Sequence, residues 1–109
     1  MGYNEALAES VRKILRRRRG ITERKMFGGV AFLLHGNMCC GVTDDKVVLR
    51  LGSELAAEAL KQPHVEPMDF TGKPMDSMVY LTRKGSKHDE DLKGWIDKAF
   101  QFAKGLPRK

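Results

Sequence analysis

The sequence predicts an α+β domain in which an antiparallel sheet of four or five strands is flanked by helices, in the order α-β-β-β(-β)-α-β-α. Apolar residues recur at helical spacing near both ends of the chain, whereas the middle consists of short apolar runs separated by tight turns rich in Gly, Asn and Asp. Packing helices against one sheet is the economical way to bury both kinds of pattern. At 109 residues, the chain is long enough for one such domain, residues 1–109, and too short for two.

Helices are predicted over residues 4–19, 53–61 and 87–104. Asn4 is placed to cap the first, and Gly20 is placed to end it in the left-handed conformation. Ser53 is the expected cap of the second, and Ser86 with Asp89 forms a capping-box-like start for the third. The second helix carries an apolar stripe of Leu55, Ala56, Ala59 and Leu60. The third carries apolar residues at helical spacing, namely Leu92, Trp95, Ile96, Ala99, Phe100 and Ala103.

Strands are predicted over residues 22–27, 30–34, 38–42, 47–51 and 77–82, of which the first is the optional one. The sequence His-Gly-Asn at 35–37 is expected to form a hairpin turn, because Gly and Asn tolerate positive φ. The sequence Thr-Asp-Asp-Lys at 43–46 is expected to form a second turn. Residues 62–75 hold three of the four prolines, so this segment is interpreted as an ordered connection.

Positive charge is concentrated in one short stretch. The formal net charge is +6, but the stretch from Arg12 to Lys25 has eight basic residues and one acidic residue, Glu23, which sums to +7 and leaves −1 for the rest. Such a stretch attracts phosphate groups or acidic partners. The candidate contact residues are Arg12, Arg16, Arg17, Arg19, Arg24 and Lys25.

This basic stretch leaves two functions open. Arg12, Arg16 and Arg19 are expected to share one helical face, with Arg24 and Lys25 just beyond, as in a nucleic-acid-binding module. However, cations at a helix C-terminus also stabilise its macrodipole, and charge runs are usually solvated. No RNA-binding aromatic signature or helix-turn-helix pattern accompanies the stretch. Nucleic-acid recognition is therefore the alternative, and weak contact with phosphate or an acidic protein is favoured.

Cys39 and Cys40 are adjacent in a predicted strand and are interpreted as structural residues. Neighbouring strand residues point to opposite faces, so the two thiols cannot bind one metal ion together. A disulfide between neighbours requires a distorted peptide bond. The histidines His35, His64 and His88 do not complete a zinc-binding spacing. Since buried free cysteines behave as small hydrophobic residues, we expect both thiols to fill the core and expect no metal or cofactor.

The same interpretation predicts that both faces of the sheet are covered. Val30, Phe32 and Leu34 take one face, while Ala31 and Leu33 take the other. A half-solvated strand would alternate with polar residues instead. The chain's own helices can cover one face, so the sequence favours a homodimer in which a second copy covers the other. The alternative is a monomer whose helices divide between the two faces.

The sequence contains no recognisable catalytic motif, so we expect the protein not to be an enzyme. Neither G-x-S-x-G nor H-E-x-x-H occurs, and the double glycine at 28–29 lacks the rest of a phosphate-binding loop. These glycines are expected to form a bulge or to let another backbone approach closely. His64 and Asp69 lie in a proline-containing segment that can line a cleft, so an enzyme or small-ligand binder using His64 to Met75 is a further alternative.

The sequence gives no indication of a membrane segment. No apolar run approaches the roughly 18 residues that a membrane-spanning helix needs, and the first residues lack a basic-then-apolar signal pattern. The expected location is the cytoplasm, where Cys39 and Cys40 stay reduced.

Several stretches of the chain resemble one known family. The sequences KMFGGVAFLLHGNMCCGV, VVLRLG and MDFTGKPM and the acidic start of the Trp-containing last helix are similar to the N-terminal domain of TfoX/Sxy proteins, from Asn4 to about Leu106. The most specific residues are Met26, Phe27, Gly28, Gly29, Gly36, Met38, Gly41, Val42, Leu49 and Arg50. A second group supports them, namely Phe70, Gly72, Lys73, Pro74 and Met75.

The resemblance implies a regulatory function. Its namesakes regulate natural competence together with a cyclic-AMP-responsive transcription activator, and they carry a second, C-terminal domain of helix-hairpin-helix character. A chain that ends at Lys109 has no room for that domain, so we expect a stand-alone domain whose competence role is open. The resemblance also implies a fold like that of secretion chaperones and YjbR-type proteins, and it brings no catalytic or cofactor-binding residue. Arg50 is expected either to anchor a buried carboxylate or to be solvated.

The sequence therefore favours a non-enzymatic cytoplasmic interaction domain. The resemblance implies a protein partner, which for its namesakes is a transcription activator.

Overall fold

Six strands and three helices make up the described part of the chain. The computed structural model describes residues 3–26, 28–70 and 73–107, and side chains at all of these except 26, 68–70 and 73–76. In chain order the elements are α1 (Glu5–Leu15), β1 (Ile21–Met26), β2 (Gly29–Leu34), β3 (Asn37–Thr43), β4 (Lys46–Arg50), α2 (Ser53–Ala59), β5 (Val65–Phe70), β6 (Lys73–Leu81) and α3 (Asp89–Lys104). The α+β class is thus confirmed.

The strands form one sheet in the order β1-β2-β3-β4-β6-β5, and every neighbouring pair is antiparallel. His35 and Gly36 link β2 to β3 with φ of 50° and 87°, respectively. Positive φ at both central residues is the mark of a type I′ turn, whose twist matches that of the flanking strands. The predicted hairpin is confirmed, and Leu34 lies opposite Asn37.

The sheet has one strand that the sequence analysis did not predict. β5 occupies most of the proline-containing segment that was interpreted as a connection, and it pairs with a longer β6 than expected. β5 is an edge strand, so the missing N–H of Pro67 can face away from the ladder. The pairing is irregular between Pro67 and Asp69. A proline therefore did not exclude a strand here, because an edge strand pairs with a neighbouring strand on one side only.

Helix boundaries differ from the predicted ones because other residues cap them. Asn4 caps α1 as predicted, since its side chain accepts a hydrogen bond from the Leu7 N–H at 3.0 Å. The cap of α2 is Gly52 and not Ser53, with φ of 86°. The prediction for α3 was also wrong, because the buried Ser86 donates to the Arg83 carbonyl at 3.1 Å instead of capping the helix.

The main core lies between one face of the sheet and the helices. Every buried residue of the three helices belongs to this core, so all helices cover the same face of the sheet. The alternative in which the helices divide between both faces is therefore wrong. The strands contribute Val30, Phe32, Leu34, Cys39, Cys40, Val42, Val47, Leu49, Val79 and Leu81.

The other face of the sheet carries a smaller apolar cluster. Val48 and Met78 are buried there, with Met38 and Tyr80 half-buried against them. None of the described helices contributes to this cluster. The prediction of an apolar second face is confirmed, and its most accessible members are Met38 and Tyr80.

None of the helices in the described residues has the length and apolar character needed to cross a membrane.

Candidate interaction surfaces

The two cysteines lie at a β-bulge in the middle of the sheet. Phe32 lies opposite Cys40, but the next residue of β2, Leu33, lies opposite Met38, so Cys39 is an extra residue in β3. Such a residue interrupts the alternation of side chains. Both cysteines consequently belong to the helix-side core, and both are fully buried. The prediction that they face opposite sides of the sheet was wrong.

The chemistry of the thiols agrees with a packing role. A hydrogen bond with the Cys39 thiol, together with burial, raises the pKa of the Cys40 thiol well above its ordinary value. A protonated buried thiol is a poor nucleophile and a poor metal ligand. Among the described residues, no group of three His, Cys, Asp or Glu side chains is arranged to hold a metal ion.

The glycines among the most specific family residues occupy different structural environments. A Cβ atom at Gly29 would collide with the Val42 carbonyl oxygen, so this position needs the close backbone approach that was predicted. Gly28 has φ of 72°. Gly41 is buried opposite Ala31 on β2. Two other motif residues, Phe27 and Gly72, lie outside the described residues, as do the side chains of Met26 and Pro74.

Arg50 lies at the end of β4, where it contacts the last helix. Its Nη1 donates to the Met38 carbonyl oxygen at 3.4 Å, and its guanidinium lies 5.7 Å from the ring centroid of Phe102. Among the described residues, no carboxylate pairs with it. Arg50 therefore links β4 to β3 through a carbonyl and links the sheet to α3 through an aromatic ring.

The described residues of the segment that was considered for ligand binding, 64–70 and 73–75, lie largely on β5 and β6 and do not close around His64. Asp69 lies on β5 five residues beyond His64, roughly 16 Å along a strand. It lies near β6, where Pro74 is its partner. His64 is exposed and lines a shallow cleft of about 390 Å³ with Pro63 and Trp95. The backbone thus holds His64 and Asp69 apart.

The arginine run lies in a turn and not on a helix. α1 ends at Leu15, and residues 16–20 form the connection to β1. The expectation that Arg12, Arg16 and Arg19 share one helical face was wrong, because only Arg12 lies within the helix. Gly20 does have positive φ, at 83°, but it lies directly before β1 and does not end α1.

Three arginines near this turn are engaged within the chain. Arg12 donates through Nε and Nη2 to both oxygens of Glu23, at 2.7 and 2.8 Å, and through Nη1 to Glu9 at 2.6 Å. Its hydrogen bonds lower the pKa of the Glu23 carboxyl. Arg16 lies 3.5 Å from Glu9. Arg18 pairs with Asp97 of α3 at 2.6 Å and lies over the Phe100 ring. These contacts tie α1 to β1 and the turn to α3.

Four cations near the same edge of the sheet remain available to a partner. Arg17, Arg19, Arg24 and Lys25 are exposed, and none forms an ion pair with another described residue. Two lie in the turn and two on β1, which is an edge strand. Arg24 and Lys25 are neighbours on a strand, so they point to opposite faces. We call these four residues the basic edge.

A second surface, which the sequence analysis missed, lies between α2 and α3. Leu55 is 36% exposed and lines two clefts, of about 470 and 590 Å³. Both clefts are also lined by Gly94 and Lys98 of α3, and the first contains Ala59 and Trp95. We call this surface the α2–α3 groove.

A signal for this groove exists in the sequence. The apolar stripe predicted for α2 has four members, but only Ala56 and Ala59 are buried. Leu55 and Leu60 are the large hydrophobic residues that are exposed in the described part of the chain, at 36% and 42%. A helix of seven residues cannot bury a stripe this wide against one strand.

Comparison with known proteins identifies the family. A search of curated proteins and a search of solved structures each found no match. A family model described as the TfoX N-terminal domain matches residues 13–103 of the 109-residue chain. The matched span contains all six strands, α2 and nearly all of α3, so it covers the sheet and both interaction surfaces. The chain therefore belongs to the TfoX N-terminal domain family.

Proposed function

We propose that the protein is a non-enzymatic interaction domain that binds an acidic protein partner through the basic edge and acts in regulation associated with transcription. Membership of the TfoX N-terminal domain family supports the regulatory role, and a transcription activator is the partner that this role implies. The proposal places the domain in the cytoplasm, where a reducing environment keeps Cys39 and Cys40 as thiols.

The observation that carries this proposal is the unpaired charge of the basic edge. Arg12 and Arg18 hold the fold together through short ion pairs, whereas Arg17 and Arg19 form none with another described residue. Long cationic side chains that lack an internal partner can form charge-assisted hydrogen bonds with carboxylates of another molecule. An acidic surface would also be attracted from a distance, which raises the rate of association.

Nucleic acid is the second candidate, favoured by the density of positive charge. A duplex-binding protein usually presents a helix or a two-stranded ribbon to a groove and spreads phosphate contacts beside it. Here the cations lie in a turn and on both faces of an edge strand, with α1 already engaged in the core. This arrangement supports a protein partner above sequence-specific recognition of DNA.

The test compares two variants that lose the same charge. One replaces Arg17, Arg19, Arg24 and Lys25 by Gln, and the control replaces four exposed cations elsewhere by Gln, namely Arg83, Lys84, Lys87 and Lys104. Each lowers the formal net charge from +6 to +2, since four positive charges are removed. Affinity capture from the native host and binding to a DNA duplex are then measured at low and high salt.

We expect an acidic protein to be captured by the wild type and the control, and to be lost from the basic-edge variant and at high salt. The nucleic-acid alternative would instead be established if no acidic protein is captured and if binding to the DNA duplex is lost in the basic-edge variant and at high salt. Equal behaviour of the two variants would contradict the proposal.

We also propose that a second copy covers the outer sheet face. Met38 and Tyr80 are the half-buried apolar residues there, beside the buried Val48. Light scattering at micromolar concentration is expected to give the mass of a dimer, and Tyr80→Glu is expected to give a monomer. A strict monomer for the wild type would contradict this part of the proposal.

A further inference from the structure

We infer that the α2–α3 groove is a docking site for an amphipathic helix of a partner protein, with apolar residues on one face and Lys or Arg beside them. This surface is distinct from the basic edge and opposite to it in charge. The inference therefore goes beyond the proposed function and does not depend on it.

The apolar part of the groove indicates two binding positions. Leu55 of α2 and Gly94 of α3 line both clefts. A Cβ atom at Gly94 would meet nothing within 4 Å, so internal packing does not require glycine at this position. Glycine in a helix interior is destabilising relative to alanine, yet here it leaves the space beside Leu55 open. Two apolar side chains of a ligand can lie on either side of Leu55.

The charge of the groove specifies the ligand. Glu58, Glu90 and Asp91 line the first cleft with one basic residue, Lys98. Glu58 is paired with Lys61 at 3.1 Å, so Glu90 and Asp91 are the lining carboxylates that form no ion pair with another described residue. The whole chain, in contrast, has a formal net charge of +6. Complementary charges around an apolar centre set the orientation and specificity of binding. The groove thus favours a ligand with cations flanking its apolar residues.

The geometry favours a helix over a strand. Two helices, α2 and α3, bound the groove, and the free sheet edges are β1 and β5, which do not line it. An added strand would find no ladder of backbone groups at this place, whereas helix-in-groove binding needs only apolar anchors at i, i+3 or i+4, and i+7.

The chain itself does not supply a suitable ligand in its described helices. The apolar faces of α1 and α3 are both buried in the core, and α2 forms one wall of the groove. None of the three described helices is therefore the occupant, and the inference places it on a partner protein.

The single tryptophan of the chain, Trp95, lines the first cleft and reports on its occupancy. The probe is a synthetic capped peptide of roughly 14 residues, built from Leu and Lys with the leucines on one helical face. A matched peptide replaces every Lys by Glu. We expect the Leu/Lys peptide to shift the Trp95 emission saturably, and the Leu/Glu peptide to leave it unchanged.

Two variants locate the binding site. Gly94→Met fills the open space beside Leu55, and Ala57→Met places the same side chain at an exposed position of α2 that does not line the groove. We expect Gly94→Met to raise the Kd of the Leu/Lys peptide at least about tenfold, and Ala57→Met to leave it within about twofold. Thermal unfolding of both variants is measured first, since methionine suits a helix better than glycine and Gly94→Met is expected to remain folded.

Three results would overturn the inference. The first is equal binding of the Leu/Lys peptide to both variants, and the second is equal binding of the two peptides. The third is self-association without peptide that Gly94→Met abolishes, which would make a second copy the occupant. Each peptide result is read from the emission of Trp95, which lines the groove and not the basic edge, so its failure is distinguishable from failure of the proposed function.

Discussion

The basic edge and the α2–α3 groove differ in charge and in how the chain encodes them. The basic edge comes from residues that lie within nine positions of one another, Arg17 to Lys25, so the sequence alone reveals it. The groove needs Leu55 from one helix and Gly94 from another, and it exists only because tertiary packing leaves α2 partly uncovered. Clustered charge is therefore readable from a sequence, whereas an apolar groove depends on which residues the fold fails to bury.

The two surfaces also depend differently on their surroundings. Cations at the basic edge are exposed, and their attraction for a partner weakens with salt. A ligand in the groove would bury apolar area, and salt does not screen that contribution. Comparing the two regions by substitution separates the residues that hold each one in place from the residues that remain available for binding.

The largest loss of stability is expected at Gly29, beside the basic edge. Gly29 begins β2 beside the basic strand β1, and a side chain there would meet the Val42 carbonyl oxygen. Since backbone cannot move aside cheaply, Gly29→Ala is expected to lower the free energy of unfolding by about 3 kcal/mol. Urea denaturation measures this. An unchanged midpoint would show that the sheet end relaxes freely.

A smaller effect is expected at the arginines. Arg12→Ala removes a bidentate contact with Glu23 and a contact with Glu9, so it is expected to destabilise the protein by about 1 kcal/mol. Arg17→Ala, the matched control, is expected to change stability by less than about 0.5 kcal/mol because no described contact is lost. Equal losses for both variants would remove the distinction between structural and available arginines.

A gain in stability, instead of a loss, is expected for a substitution in the α2–α3 groove. Gly94→Ala adds a methyl group where nothing lies within 4 Å, and it improves helix propensity. The free energy of unfolding is therefore expected to rise by about 0.5–1 kcal/mol. A thermal unfolding curve checks the sign, and destabilisation would show that α3 needs glycine at this place.

The smallest effect concerns pH. Arg12 lowers the pKa of Glu23 below its ordinary value of 4.5, so the folded state favours the ionised carboxylate. This contribution is present above pH 4.5 and is lost as the pH falls through the lowered pKa of the folded state. Because Glu23 is partly exposed, we expect only about 0.3 kcal/mol of acid destabilisation, which Arg12→Ala removes. Denaturation at several acidic pH values, with Arg17→Ala as control, measures it.

Much of the fold could be predicted because local patterns agree with the tertiary structure. The Gly36 turn and the apolar strands beside it carry strong local signals, and both were predicted correctly. The failures have specific causes. Pro67 argued against a strand, but it lies on an edge. Ser53 and Ser86 have the right chemistry for caps, yet Gly52 and His88 occupy the cap positions.

The candidate surfaces were predictable to a lesser degree. The basic stretch was found, but its interpretation assumed that α1 continues to Arg19, whereas the helix ends at Leu15. That difference decides which arginines are engaged and which are available. The groove was hidden because Leu55 fits a helical apolar stripe equally well whether it is buried or exposed. Periodicity gives the face of a helix and not the width of the surface that covers it.

The bulge in β3 has one more consequence, for changes in chain length. Losing a residue within a regular strand exchanges inward and outward side chains along everything beyond it. Cys39 is supernumerary, however, and its removal leaves Met38 opposite Leu33 and Cys40 opposite Phe32. Shortening the chain at this place would empty a small volume of the interior but would keep every other side chain on its own side. Within this strand, a deletion is tolerated best where the pleat is least regular.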